Sequence, residues 1–290
     1  MQASILTTVI MPMALGVIML GLGLSLTLED FRRVAQYPRA ISIALVCQMI
    51  LLPALCFILA LAFNMPPELA VGLMLLSASP GGPTANLYSH LSNGDVALNI
   101  TLTAVNSLLT LFSLPFIVNL SLDFFMDSGE YLPMQFKKVM EVFAIVLVPV
   151  TLGMVIKNRL PVFAARMEKP VKILSALFLA LVIIMISVNE FSRIVKFLPR
   201  LGGPVLAFNV LSMAVGYYLP MLFRVEKKQA IAIGMEIGLH NGTLAIYIAL
   251  NVMHNSTMAW PPALYGVLMF FTAAVFGMLV NLKRKEAQVG

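Results

Sequence analysis

The chain has 290 residues, of which 60% are hydrophobic and only 11% charged, with a mean hydropathy of +0.95. Soluble domains carry roughly 45–50% apolar and ~25% charged residues, so a water-solvated surface is excluded and a membrane protein is implied. The net charge of +6 does not point to nucleic acid, because the basic residues stand singly and in pairs between apolar runs.

A bilayer crossing takes about 20 residues. Apolar runs bounded by charges or Pro/Gly clusters predict nine transmembrane helices, at about 5–27, 40–63, 69–91, 95–122, 140–157, 171–189, 202–223, 229–252 and 261–282. The expected fold is therefore an all-α polytopic membrane protein, a single integral unit over 1–290 with no room for a separate soluble domain. The first run, Ile5 to Leu26, is longer than the apolar region of a signal peptide and has no small-residue cleavage site, so it reads as a retained span. In the second span Cys47 and Cys56 act as small hydrophobes, and Gln48 puts an amide at mid-depth.

The third span is interrupted by Ser79-Pro80-Gly81-Gly82-Pro83-Thr84-Ala85-Asn86. Proline removes backbone donors and glycine favours non-helical dihedrals, which leaves polar backbone unpaired at membrane depth. Such backbone is tolerated only where it is buried in protein or lines a wet cavity. On the fourth span Asn99, Thr103, Asn106, Thr110 and Ser113 fall within about 80° of arc, giving an oxygen-rich face. The seventh span carries Asn209, and the eighth is interrupted at Glu236-Ile237-Gly238-Leu239-His240-Asn241-Gly242-Thr243. The two interrupted helices are five apart, so they run in opposite directions, the pattern of inverted repeats around a transporter's midplane site.

Loop charges set the orientation. If loops alternate sides, one side collects Arg32, Arg33, Arg39, Lys157, Arg159, Arg166, Lys169, Lys172, Arg224, Lys227, Lys228, Lys283, Arg284 and Lys285, which is 14 of the 19 basic residues. The positive-inside bias then puts the N-terminus outside and the C-terminus in the cytoplasm of a plasma or inner membrane, consistent with an odd number of spans.

Glu236 is the only carboxylate near the middle of any predicted span; Asp95, Glu141 and Glu190 lie at span ends. A charge at helix centre costs roughly 2.5–3.5 kcal/mol on insertion scales, and no Lys or Arg lies at its depth. Its partner is then a metal ion, a proton or the neighbouring His240. Neutral oxygens with one carboxylate are hard ligands that suit a monovalent cation such as Na+ better than calcium or a transition metal. The same residue types also join helices by hydrogen bonds. A proton-coupled alternative uses Glu236 and His240 as an i,i+4 pair on one helix face. No nucleophile with a positioned base is present at this depth, so the chain is not expected to be an enzyme. A channel or structural membrane subunit is a further alternative.

These segments carry a resemblance. Gly21-Leu22-Gly23-Leu24-Ser25-Leu26 followed by Asp30-Phe31, Pro80-Gly81-Gly82 with Asn86, Gly94-Asp95-Val96-Ala97-Leu98, and Glu236-Ile237-Gly238 with Asn241-Gly242 resemble the bile acid:sodium symporter family, in its nine-helix form, over nearly the whole chain. The resemblance implies a panel domain (about 5–27, 140–157 and 171–189) beside a core domain (about 40–122 and 202–282) with two crossing broken helices. It implies sodium-coupled symport of a small organic anion, a carboxylate or a bile-acid-like compound, by alternating access. For one sodium site it implies Asn86, Asn99, Thr103 and Glu236; for a second, Gln48, Glu236 and the carbonyls of Ile237 and Leu239. His240 stands where relatives carry a glutamine, and an imidazole nitrogen is a poor sodium ligand, so one or two ions are implied. Substrate would lie near Gly82, Pro83, Thr84 and Asn241.

Overall fold

The structure is a computed structural model and describes residues 11–126, 136–189 and 191–289. The start of the first predicted span, the 127–135 connection and Glu190 lie outside these residues. The described residues are almost entirely helical: α1 (Met11–Ser25), α2 (Leu28–Arg32), α3 (Pro38–Val46), α4 (Leu52–Ala62), α5 (Pro67–Ser77), α6 (Pro83–Leu91), α7 (Val96–Phe125), α8 (Phe136–Arg159), α9 (Pro161–Asn189), α10 (Phe191–Leu222), α11 (Lys227–Gly238), α12 (Gly242–Tyr247) and α13 (Trp260–Val289). α3 and α4 form one span joined through a π-helical turn at Cys47–Leu51, and a second π-helical turn, Ile248–Val252, extends α12.

Helix dominates because in a bilayer each backbone amide must find its acceptor within the segment. Among the described residues five helices are long and apolar enough to cross alone, within Pro38–Ala62, Val96–Phe125, Lys138–Arg159, Leu198–Leu222 and Thr257–Leu282; α1 and α2, bent by 72°, pass only as a pair. α5 has eleven residues and α6 nine. At 1.5 Å per residue neither approaches a core of about 30 Å, so the third predicted span crosses only as two half-helices in series.

Helices start and stop where the sequence supplies caps. Pro67 and Pro83 occupy first-turn positions of α5 and α6, where a missing amide costs nothing. The Asp95 carboxylate accepts from Leu98 N at 3.0 Å and opens α7. Asn93 ends the preceding turn in the left-handed region, a conformation asparagine tolerates.

α1 lies against α8 and α9 at very close range: a Cβ at Gly23 would collide with the Val150 backbone, and one at Gly153 would meet backbone of Gly23 and Leu24 at 2.7 Å. α5, α6, α7, α10, α11 and α13 pack on one another and bury the polar residues of the two interrupted helices.

Candidate ion and substrate site

The site is built where the two interrupted helices meet. α5 stops at Ser77 because Pro80 has no amide to donate and Gly81 and Gly82 follow in non-helical backbone; α11 stops at Gly238. The breaks then satisfy each other. Asn241 N donates to the Pro80 carbonyl at 2.8 Å, Gly82 N donates to the Leu239 carbonyl at 3.1 Å, and Gly81 and His240 form an antiparallel bridge. Backbone orphaned by one break is paired by the other, as burial in an apolar medium requires.

Side chains from neighbouring spans close the half-helix ends in a matched way. Gln48 Nε2 donates to the Ser77 and Ser79 carbonyls, at 3.2 and 3.1 Å, beyond the end of α5. Asn209 Nδ2 donates to the Gly238 carbonyl at 3.1 Å at the end of α11. The Tyr265 hydroxyl donates to that same carbonyl at 2.9 Å, and the Thr272 hydroxyl holds Asn209 Oδ1. Gln48 sits in the π-helical turn, an interruption frequent at functional sites.

Glu236, on α11, is wholly buried at 0% exposure. Its Oε2 accepts from Thr103 Oγ1 at 2.6 Å and its Oε1 from Asn106 Nδ2 at 3.3 Å, both on α7. Among the described residues no basic side chain forms an ion pair with it. Gly81 passes directly over the carboxylate, and a Cβ there would collide with it. Several buried acceptors have no hydrogen-bond partner: Asn86 Oδ1 on α6 and Asn99 Oδ1 and Asn106 Oδ1 on α7, two helices that pack on α11, and Gln48 Oε1 in the π-helical turn. Most buried polar atoms in native proteins are paired, so unpaired oxygens on helices packed against the one that carries a buried acid are compatible with a ligand that accepts lone pairs. Asn99 is fixed by its other end, donating from Nδ2 to the Ala232 carbonyl at 2.8 Å on α11. α6, α7 and α11, which carry these groups, pack on one another. A monovalent cation fits this donor set: one carboxylate, one hydroxyl and neutral amide oxygens.

His240 departs from the i,i+4 reading. α11 ends at Gly238 and Leu239 leaves helical dihedrals (φ −117°, ψ 79°), so His240 and Glu236 do not share a helix face. Its Nδ1 lies 3.0 Å from the Ser79 carbonyl, an acceptor, so Nδ1 carries the proton. Its ring stacks on Phe208 and lies against Tyr265. Its buried Nε2 has no hydrogen-bond partner. Of the carbonyls implied for a second ion, that of Leu239 already accepts from Gly82 N. Ile237 is buried at the end of α11.

Of the predicted substrate residues, Gly82 and Asn241 lie on the two segments that the paired breaks bring together. Asn241 caps α12, its Oδ1 accepting from Leu244 N at 3.1 Å while its buried Nδ2 has no hydrogen-bond partner. It lines a narrow cavity with Pro80, Ser107 and Thr110. Gly82 precedes α6 and is buried, and Thr84 is half-buried; neither is among the residues lining this cavity. Pro83 opens α6, and its side chain lies outside the described residues. A larger cavity of about 750 Å³ lies between α7 and α8, walled by Leu26, Phe31, Ser107, Val150 and Lys157 among others. Ser107 borders both cavities, a position that its location 80° off the centre of the polar face of α7 did not single out. Tyr265 and Thr272 were likewise invisible in sequence, because an aromatic and a hydroxyl in an apolar run carry no periodic signal.

An all-helical membrane protein whose two interrupted helices pair around a buried acid has the architecture of a secondary transporter. The chain matches the model of the sodium bile acid symporter family over residues 3–197, about two thirds of its length, and belongs to that family. The family is one of sodium-coupled transporters and not of enzymes. Similar proteins include a probable chloroplastic sodium/metabolite cotransporter of Oryza sativa subsp. japonica, 27% identical over 91% of this chain and 62% of its own length. An uncharacterized sodium-dependent transporter of Bacillus subtilis is 26% identical over 95% of this chain and 84% of its own. The hepatic sodium/bile acid cotransporter of Rattus norvegicus is 27% identical over 91% and 71%.

Proposed function

We propose that the chain is a sodium-coupled carrier of a small organic anion that binds one sodium ion at Glu236. The observation that carries this reading is the buried Glu236 carboxylate, without a basic partner among the described residues, on a helix packed against those that carry the unpaired oxygens of Asn86, Asn99 and Asn106. Sodium held by these groups and the Thr103 hydroxyl offsets the charge and fixes α6, α7 and α11 in one arrangement. That arrangement presents Asn241 Nδ2 and the amino-terminal end of α6, near Gly82, Pro83 and Thr84, to an anionic substrate. Substrate then enters between a core, about 40–122 and 202–282, and a panel, about 5–27, 140–157 and 171–189, and rocking of these bodies exposes it to each side in turn. The count of one ion follows from His240, which fills the neighbourhood of the Ser79 carbonyl with a ring and a donor where a second cation would need oxygen. By mutual linkage, substrate must raise sodium affinity by the factor that sodium raises substrate affinity.

The test is counterflow of labelled carboxylates in proteoliposomes, with sodium and with sodium replaced by choline between pH 5.5 and 8. Sodium-dependent exchange is expected. Equal exchange in choline at low pH would replace sodium by protons as the coupling ion, and exchange-free conduction would replace the carrier by a channel.

A further inference from the structure

The corner where α8 hands over to α9 has no part in the ion site, yet it gathers charge. Between Lys157 and Asn189 the sequence holds five basic residues, Lys157, Arg159, Arg166, Lys169 and Lys172, against one acid, Glu168. The side chains of Glu168 and Lys172 lie outside the described residues. Lys157 is half-buried and lines the larger cavity, whereas Arg159, Arg166 and Lys169 are exposed. Among the described residues no ion pair meets any of these three. The α2 segment differs: there Arg32 pairs with Glu29 and Arg33 with Asp30.

Packing fixes the depth of the unpaired charges. α8 crosses the membrane within Lys138–Arg159, 22 residues or about 33 Å, so Arg159 stands near the hydrocarbon boundary. Gly153 of α8 lies level with Gly23 and Leu24 of α1, and a Cβ at Gly21, two residues or about 3 Å away along α1, would strike Val171 of α9. Counting outward from these contacts, Lys157 is about 6 Å beyond Gly153 and Arg166 about 7.5 Å beyond Val171. Arg166 therefore comes within about one turn of the level of Lys157 and Arg159, and Lys169 lies nearly a turn deeper.

The face that carries them is one that lipid covers. Arg166, Lys169, Ile173 and Leu177 recur at intervals of three, four and four, and all are exposed, so one strip of α9 passes from two cations onto apolar side chains without turning inward. A soluble partner does not reach a cation at the depth of Lys169 on a strip that isoleucine and leucine continue. A phospholipid does: its acyl chain lies along Ile173 and Leu177, while the long stems of Lys169 and Arg166 run over apolar surface and raise their charged ends to the phosphate layer. Like charges one turn apart repel, and an anionic headgroup between them removes that repulsion.

We propose that the α8–α9 corner is a binding surface for an anionic phospholipid of the bilayer, its headgroup held by Arg159, Arg166 and Lys169 and its acyl chain against Ile173 and Leu177. Binding needs neither sodium nor substrate, so its test stands apart from that of the transport reading.

The full chain, purified in dodecyl maltoside, is titrated with dioleoylphosphatidylglycerol and separately with dioleoylphosphatidylcholine, with melting temperature and lipid retained in native mass spectrometry as readouts. Phosphatidylglycerol should raise the melting temperature and stay bound where phosphatidylcholine does neither. Arg159→Gln with Arg166→Gln and Lys169→Gln should raise the phosphatidylglycerol midpoint by about tenfold or more. Arg39→Gln with Lys227→Gln and Lys228→Gln, which removes the same charge from two other loops, should leave it within about twofold. Equal effects of the two lipids, an unmoved midpoint in the corner variant, or an equal shift in the control overturns the proposal. So does full reproduction of the stabilisation by inorganic phosphate or glycerol 3-phosphate, which would make the corner a site for a free anion. If the triple variant does not fold, Arg166→Gln and Lys169→Gln made singly carry the test, each expected to raise the midpoint about threefold, and no movement in either overturns it.

Discussion

Glu236 is where removing a single atom's charge has the largest expected effect. Replacing it by glutamine keeps volume and both hydrogen-bond partners within reach but deletes the charge that a cation would meet. Thr103→Val removes a hydroxyl donor and a ligand at once while preserving shape, so it should raise the sodium midpoint of thermal stabilisation at least tenfold, equivalent to about 1.4 kcal/mol. Gly81→Ala should abolish sodium stabilisation, because a methyl group displaces the carboxylate itself. The burial of Glu236 without a basic partner among the described residues was legible in sequence, since no Lys or Arg lies at its depth. The polar face of α7 was legible too, its residues recurring at helical spacing. The isolation of His240 from Glu236 was not, because i,i+4 arithmetic assumes a helix that Gly238 ends.

At the scale of elements, the two half-helix ends are held by a pair of amides in corresponding spans. Gln48→Leu would strip the Nε2 donor from the buried Ser77 carbonyl, the Ser79 carbonyl keeping His240 Nδ1, and Asn209→Leu would strip one of the two donors from the Gly238 carbonyl. A buried acceptor left unpaired costs about 1–3 kcal/mol, and a lower melting temperature in differential scanning fluorimetry is expected for both, with the Asn209 change softened by Tyr265. Gly23→Ala should be equally damaging, because α1 would have to withdraw from the Val150 backbone; overpacking of this kind typically costs 1–3 kcal/mol. The interruptions themselves were plain in the sequence, proline and glycine clusters being strong punctuation. That they pair with each other was not, since a two-residue bridge between segments far apart in the chain leaves no local pattern. The π-helical turns and the elbow after α1 were hidden too, each being a local compromise between tertiary contacts and an ordinary apolar run.

For the whole molecule the number of ions decides how much work the gradients can do. A tenfold sodium gradient supplies about 1.4 kcal/mol per ion, and 100 mV supplies about 2.3 kcal/mol per net charge. One sodium with a monoanion moves no net charge and supplies ~1.4 kcal/mol, whereas two would supply roughly 5. Electroneutral, shallow accumulation is therefore expected, and His240→Gln should raise the Hill coefficient for sodium or create a current in solid-supported-membrane recordings. Unchanged values for both would remove His240 from the stoichiometry. The distribution of basic residues further predicts a C-terminus in the cytoplasm, readable by a C-terminal reporter fusion active only on that side. The most direct measurement is saturable binding of radioactive sodium to detergent-purified protein and to Glu236→Gln side by side. Saturable binding near one ion per chain, lost in Glu236→Gln, is the predicted result; equal binding by both proteins, or none by the unmodified one, would contradict it.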